Sequence, residues 1–164
     1  MPNCCGGEAC AVNGSRPKPA VCPECGRKGA PVEKLTIEHL LLDQRVPEVG
    51  GGPYSFCRTP ECNTVYFANS STGKRFTKTD LKVRVGIKET KDPIPLCYCF
   101  GHTAASIREE VEKTGTSMAV ESIRRDIQAG RCQCEIRNPS GKCCLGEVTH
   151  AVRKVEQLFA GSVG

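Results

Sequence analysis

The sequence predicts an α+β chain, with a small β-rich domain over residues 21–92 followed by a small helical domain over residues 93–164. Three observations carry this. Short runs of aromatic and β-branched residues, YSFC and TVYF, fall in the first part. Segments with helix start and stop signals fall in the second. The composition is 38% hydrophobic and 5% aromatic, with no Trp, 17 Gly and 11 Pro, so the apolar core is thin and something else must help hold the fold.

Residues 1–20 carry Cys4, Cys5 and Cys10 among Gly, Asn, Ser and Pro, the composition of a flexible tail. VCPECGRKG then opens the β-rich domain as a knuckle, a turn whose backbone NH groups can point at sulfur. A short helix is expected next, with Thr36 as N-cap and Ile37, Leu40 and Leu41 on one face. VGGGP, residues 49–53, marks a loop. YSFC and TVYF read as strands joined by the turn RTPECN, and the alternating KVRVGIK, residues 82–88, as a third strand.

In the second part Thr103 can cap a helix over AASIREEVEK, stopping near Thr114-Gly115. SMAVESIRRDIQAG predicts another, with Ser117 at its start and Gly130 as its stop. Residues 131–146 are expected to form a loop, and a third helix should span roughly 147–159. Val148, Val152, Val155 and Phe159 give that helix one apolar stripe for packing.

Thirteen cysteines compensate for the thin core. The N-terminus has no basic start followed by an apolar run, and no stretch approaches the ~20 apolar residues of a membrane span. A cytoplasmic protein with reduced thiols is therefore expected, and metal ligation is favoured over a disulfide framework. The net charge is +5, but Lys82, Arg84, Lys88, Glu89, Lys91 and Asp92 typify how the charges mix. No basic stripe with interleaved aromatics points to nucleic acid. Nor does the chain show a phosphate loop, a Ser-His-Asp order or paired catalytic carboxylates, so no enzyme is expected.

Cys22 and Cys25 form C-x2-C, and Cys57 and Cys62 form C-x4-C. Two such pairs can converge on a tetrahedral four-sulfur site, which suits Zn2+. A rubredoxin-like iron site and ordinary buried cysteines are the alternatives. A second group comprises Cys97, Cys99, Cys132, Cys134, Cys143 and Cys144. A disulfide between Cys97 and Cys99 would be strained, since bridged Cα atoms sit about 4.4–6.8 Å apart in a specific orientation. A [2Fe–2S] cluster needs four thiolates, which C-x-C and the later cysteine-rich loop can provide across a helical hairpin. A Rieske centre needs two histidine ligands, and the cysteines suffice without His39, His102 or His150. Adjacent Cys143 and Cys144 cannot easily both point inward, whereas Cys132 and Cys134 can face one side together.

CPEC, FCRTPECNTVYF, LKVRVGIKE, PLCYC and RNPSGKCC, in that order over about residues 21–147, resemble the N-terminal part of CopZ-type copper chaperones that carry zinc and iron–sulfur. The resemblance implies a zinc-binding domain followed by a domain like bacterioferritin-associated ferredoxin. It implies zinc ligands at Cys22, Cys25, Cys57 and Cys62, and [2Fe–2S] ligands at Cys97, Cys99, Cys134 and Cys144. The archaeal type of this chaperone continues into a βαββαβ heavy-metal-associated module. Only 20 residues follow Cys144, so that module is expected to be absent.

Together these readings predict a metal-binding iron–sulfur protein of copper or soft-metal homeostasis, a chaperone able to reduce Cu(II) to Cu(I). Its partners would be soft metal ions, Cu+ included, with a copper-transporting ATPase or a redox partner and neither nucleic acid nor membrane insertion. A [2Fe–2S] electron-transfer or regulatory adaptor that does not handle copper is the alternative.

Overall fold

The computed structural model describes residues 20–70 and 72–162. The tail cysteines Cys4, Cys5 and Cys10 lie outside these residues.

A four-stranded antiparallel sheet, in the order β1-β2-β3-β4, forms the first lobe: β1 Ala30–Val32, β2 Tyr54–Phe56, β3 Thr64–Ala68 and β4 Arg75–Thr77. Helix α1, Lys34–Leu40, covers this sheet with Ile37 and Leu40 buried. Aromatic side chains fill the core here: Tyr54, Phe56, Tyr66 and Phe76 pack with Val32, Ile37, Leu41, Val65, Leu81 and Val85. The knuckle, the loop at 49–53 and the strands YSF and TVYFA follow the expected pattern.

Three expectations in this lobe need correction. The N-cap of α1 is Glu33, and Thr36 lies inside the helix, where its hydroxyl donates to Glu135 O at 2.6 Å. The sequence pattern also missed β1 and β4, each only three residues long. Finally, residues 82–88 are not a strand. Residues 80–82 pair backbone groups with 40–42, and a 3-10 turn occupies Gly86–Lys88. The alternation inverts there: Val85 is buried, Ile87 is exposed and Lys88 is buried. The backbone of Pro95 crowds this point, and only glycine fits at 86, where a Cβ would stand 1.9 Å from Pro95 O.

The second lobe begins with a short hairpin, β5 Pro95–Cys97 and β6 His102–Thr103. It continues with α2 Ala104–Thr114, α3 Ala119–Gln128, α4 Cys134–Arg137 and α5 Leu145–Ser162. Thr103 caps α2 by accepting from Ser106 N, and Gly115 ends the helix at φ 81°. α3 starts one residue later than a Ser117 cap would require, with Met118 at the N-cap. Ser117 Oγ still accepts from Ala119 N and donates to Glu110. Gly130 follows α3 at φ 75°, as its stop role required. The 131–146 segment is not all loop, since α4 begins at Cys134, and the last helix extends beyond 147–159 at both ends. Val148 and Val152 of α5 are buried with Ile107, Ala119 and Ile123, whereas Val155 and Phe159 are half-buried.

A turn from the second lobe fastens the two lobes together. In Asn138–Gly141, the Asn138 side chain accepts from Ser140 N and donates to Lys142 O. Gly141 is left-handed at φ 68° and lies against Thr36, whose Oγ1 would stand 2.9 Å from a Cβ. Tyr66, fully buried in the sheet, donates its hydroxyl to Pro139 O at 2.6 Å. Tyr66→Phe should therefore lower stability by about 1–2 kcal/mol, because it strands a buried carbonyl. Chemical denaturation of the metal-loaded protein measures this, and an unchanged midpoint would show that the bond does not join the lobes.

Candidate metal centres

The first centre is built by two turns. In the knuckle around Cys22 and Cys25, Gly26 N donates to Cys22 O at 2.9 Å and Gly26 takes φ 71°, which turns the chain back sharply. Backbone NH groups of Glu24 and Cys25 then point at the Cys22 thiol, and that of Arg27 at Cys25. The second turn, residues 57–62, hangs between β2 and β3 and closes through Cys62 N donating to Thr59 O. Backbone NH of Thr64 points at the Cys62 thiol.

Glu24 staples the two turns. Its carboxylate accepts from Thr64 N at 3.1 Å and from Thr64 Oγ1 at 2.6 Å, and it pairs with Arg75. The Thr64 hydroxyl bond is the main cause holding this carboxyl below the usual range. As a result Cys22, Cys25, Cys57 and Cys62 place all four Sγ atoms within 4.8 Å of one another. Cys22 and Cys62 approach to 3.9 Å, and Cys25 and Cys57 to 3.7 Å. Three of the four are buried, with Phe67 beside them.

The electrostatics of the set are uneven. The Thr59 hydroxyl lies 3.3 Å from Cys25 Sγ and is the main cause bringing that thiol down to about 6. Burial pushes Cys62 up to about 12. An all-sulfur donor set with NH groups directed at it suits a thiophilic ion in tetrahedral coordination, with Zn–S distances of about 2.3 Å.

The second centre lies where the β5–β6 hairpin meets the start of α4 and the residue before α5. Cys99 Sγ is 3.6 Å from Cys134 Sγ, and Cys134 Sγ is 3.4 Å from Cys132 Sγ. Cys144 shares thiol hydrogen bonds with both Cys97 and Cys134, which lower those two and raise Cys144. Cys97, Cys134 and Cys144 are buried in the helical core, whereas the sulfurs that all lie within 4.8 Å of one another are those of Cys99, Cys132 and Cys134. Cys144 is buried and Cys143 half-buried, as alternation of neighbouring side chains requires. Gln133 N donates to Cys99 Sγ at 3.3 Å, and backbone NH groups of Cys99 and Phe100 point at Cys97. NH donation to sulfur is the environment that tunes iron–sulfur potentials.

Sequence reasoning missed Glu24, Thr59 and Gln133, which support sulfur through hydrogen bonds that spacing does not encode. It left Cys132 and Cys143 undecided, and Cys132 lies with Cys99 and Cys134 inside one group of sulfurs. The histidines are not drawn into either group: His39 Nδ1 lies 2.9 Å from Leu35 O on α1, and His102 sits in β6 opposite Cys97.

Residues 19–82 match the CopZ-type family described as a zinc binding domain. Over 124 residues, 75% of this chain, the sequence is 38% identical to the copper chaperone CopZ of Archaeoglobus fulgidus, of which it covers 57%. The chain thus spans little more than half the length of that relative. The X-ray structure of the Archaeoglobus fulgidus CopZ N-terminal domain superposes with a TM-score of 0.65 at 35% identity, over 79% of this chain and 95% of that one. An antiparallel sheet followed by helices is therefore shared with a solved relative covered almost end to end, and the chain belongs to the CopZ N-terminal-domain family.

Proposed function

We propose that this chain is a non-enzymatic metal-handling protein of cytoplasmic copper homeostasis, holding zinc in its first lobe and a [2Fe–2S] cluster in its second. The observation that carries the reading is the four-sulfur group of Cys22, Cys25, Cys57 and Cys62 beside a separate cysteine-rich group that includes Cys99, Cys132 and Cys134, in a chain of this family. In it, Cys22, Cys25, Cys57 and Cys62 hold structural Zn2+, whose binding free energy becomes folding free energy for a lobe with few apolar residues. Cys97, Cys99, Cys134 and Cys144 hold the cluster, with Gln133, Cys99 and Phe100 NH groups directed at their sulfurs. When bound, such a cluster supplies electrons one at a time, which matches the reduction of Cu(II) to Cu(I). Soft Cu+ as cargo, and a copper-transporting ATPase or redox protein as its recipient, complete the proposal.

A second reading, an electron-transfer adaptor that never handles copper, is favoured by one feature. A cavity of about 860 Å3 opens beside Tyr98, which separates Cys97 from Cys99, and runs between α2 and α5. Addition of Cu(II) to the dithionite-reduced, desalted protein separates the two readings. The chaperone reading expects one Cu(I) per reduced cluster, trapped by a Cu(I)-specific chelator. Cluster reoxidation by other acceptors with no Cu(I) formed supports the adaptor.

Protein purified anaerobically should contain zinc and about two irons per chain, with the visible and EPR spectra of a reducible [2Fe–2S] centre. A colourless protein with zinc in both groups would overturn the assignment. Cys57→Ala should release zinc and destabilise the first lobe while the cluster spectrum stays largely intact, because the ligand sets are disjoint. Equal loss of both metals would show the two centres to be interdependent. Serine at 134 or 144 should shift or abolish the EPR signal, whereas serine at 132 or 143 should leave it nearly unchanged. The reverse at either pair refutes that ligand choice.

A further inference from the structure

Among the described residues, Lys88 is the one buried charged side chain, only 4% exposed. Its ammonium donates to Thr59 O at 2.7 Å and to Cys62 O at 3.0 Å, both in the turn that carries Cys57 and Cys62. Neither partner bears a charge, and no ion pair among the described residues includes Lys88. A second cation approaches the same place, since Lys78 Nζ lies 3.5 Å from Lys88 O. Taking an ammonium out of water is costly without an opposing charge. Carbonyl oxygens satisfy its protons but do not neutralise it.

The turn whose carbonyls accept from Lys88 also carries two members of the four-sulfur site, Cys57 and Cys62. Four thiolates around one Zn2+ leave a net double negative charge, equally costly to bury alone. Lys88 binds the carbonyl of one presumptive ligand, Cys62, and that of Thr59, whose hydroxyl reaches Cys25 Sγ. We propose that Lys88 is the built-in counter-ion of the Cys22–Cys25–Cys57–Cys62 site, stabilising the fully deprotonated metal-bound tetrathiolate. This rests on the zinc reading above. The lysine stands outside the 19–82 segment matched to the zinc-binding family, on the turn Gly86–Lys88 that leads into β5. Completing the site therefore requires chain beyond that segment. The same turn sends Ile87 outward and the cation inward, against the alternation of residues 82–88.

Lys88→Met, Lys88→Gln and Lys88→Arg in the full chain test this. Zinc affinity is read by competition with a chromogenic chelator, folding by circular dichroism and cluster absorbance as the internal control. Lys88→Met and Lys88→Gln should each weaken zinc by roughly tenfold or more, and Lys88→Arg should restore most of the affinity. After zinc is stripped, the order should reverse, with Lys88→Met at least as stable to denaturant as the unmodified chain because an unpaired buried charge is gone. A role in packing or loop tethering alone would destabilise both forms. Undiminished zinc affinity in Lys88→Met, full affinity in Lys88→Gln, or a Lys88→Arg variant as weak as the neutral ones would each overturn the proposal. Should the neutral variants not fold, failure of Lys88→Arg to bind zinc near the original affinity has the same force. An unmodified chain that takes up no zinc defeats the zinc reading itself, before any variant is compared.

Discussion

Cys25 and Cys57 are 32 positions apart in sequence, yet their sulfurs come within 3.7 Å, with Cys22 and Cys62 closing the same group. Most of the first lobe follows from that convergence. β2 and β3 carry the second turn at their connected ends, β1 brings the first turn alongside, and Glu24 ties one turn to the start of β3. Four thiolates held this close repel one another unless a cation neutralises them. The fold thus concentrates a charge problem that a bound divalent ion resolves, and in resolving it the ion contributes stability that the sparse apolar side chains do not.

The second lobe uses sulfur in the same way, with Cys97, Cys134 and Cys144 as members of its buried core. Its cysteine-bearing segment also does mechanical work. The chain between Cys134 and Cys144 folds over the first lobe, placing Glu135 O on Thr36, Pro139 O on Tyr66 and Gly141 against α1. The loop that presents Cys134 and Cys144 is therefore braced from behind by the first lobe. Tyr98 adds a second brace: its hydroxyl donates to Arg84 O and accepts from Gly86 N, linking the Cys97–Cys99 segment to the turn that bears Lys88.

Features encoded over a few neighbouring residues were legible in the sequence. The Thr103 cap, the Gly115 and Gly130 stops, the two central strands and the paired cysteines all depend on local backbone chemistry. So did the expectation that only one of Cys143 and Cys144 faces fully inward. What was not legible depends on distant partners. Residues 82–88 have the period of a strand, but Pro95 O approaching Gly86 breaks it, and a carbonyl 9 positions ahead leaves no mark in the pattern. Thr36 looks like a cap by type, yet α1 begins earlier and its hydroxyl serves a contact 99 positions away. β1 and β4 are three residues long, like β2, but lack the two aromatics that mark it. The cysteine spacing announced the four-sulfur group, while the hydrogen-bonding shell around it became visible only in three dimensions.

In the proposed function two disjoint thiolate sets hold two different metals, one structural and one redox-active. X-ray absorption at the zinc and iron edges of the same anaerobic sample tests it most directly. Zinc should be surrounded by four sulfurs at about 2.3 Å with no nitrogen or oxygen neighbour, and iron should sit in an all-sulfur shell with an iron neighbour close by. Zinc with mixed nitrogen or oxygen ligands, or mononuclear iron without an iron neighbour, would contradict it.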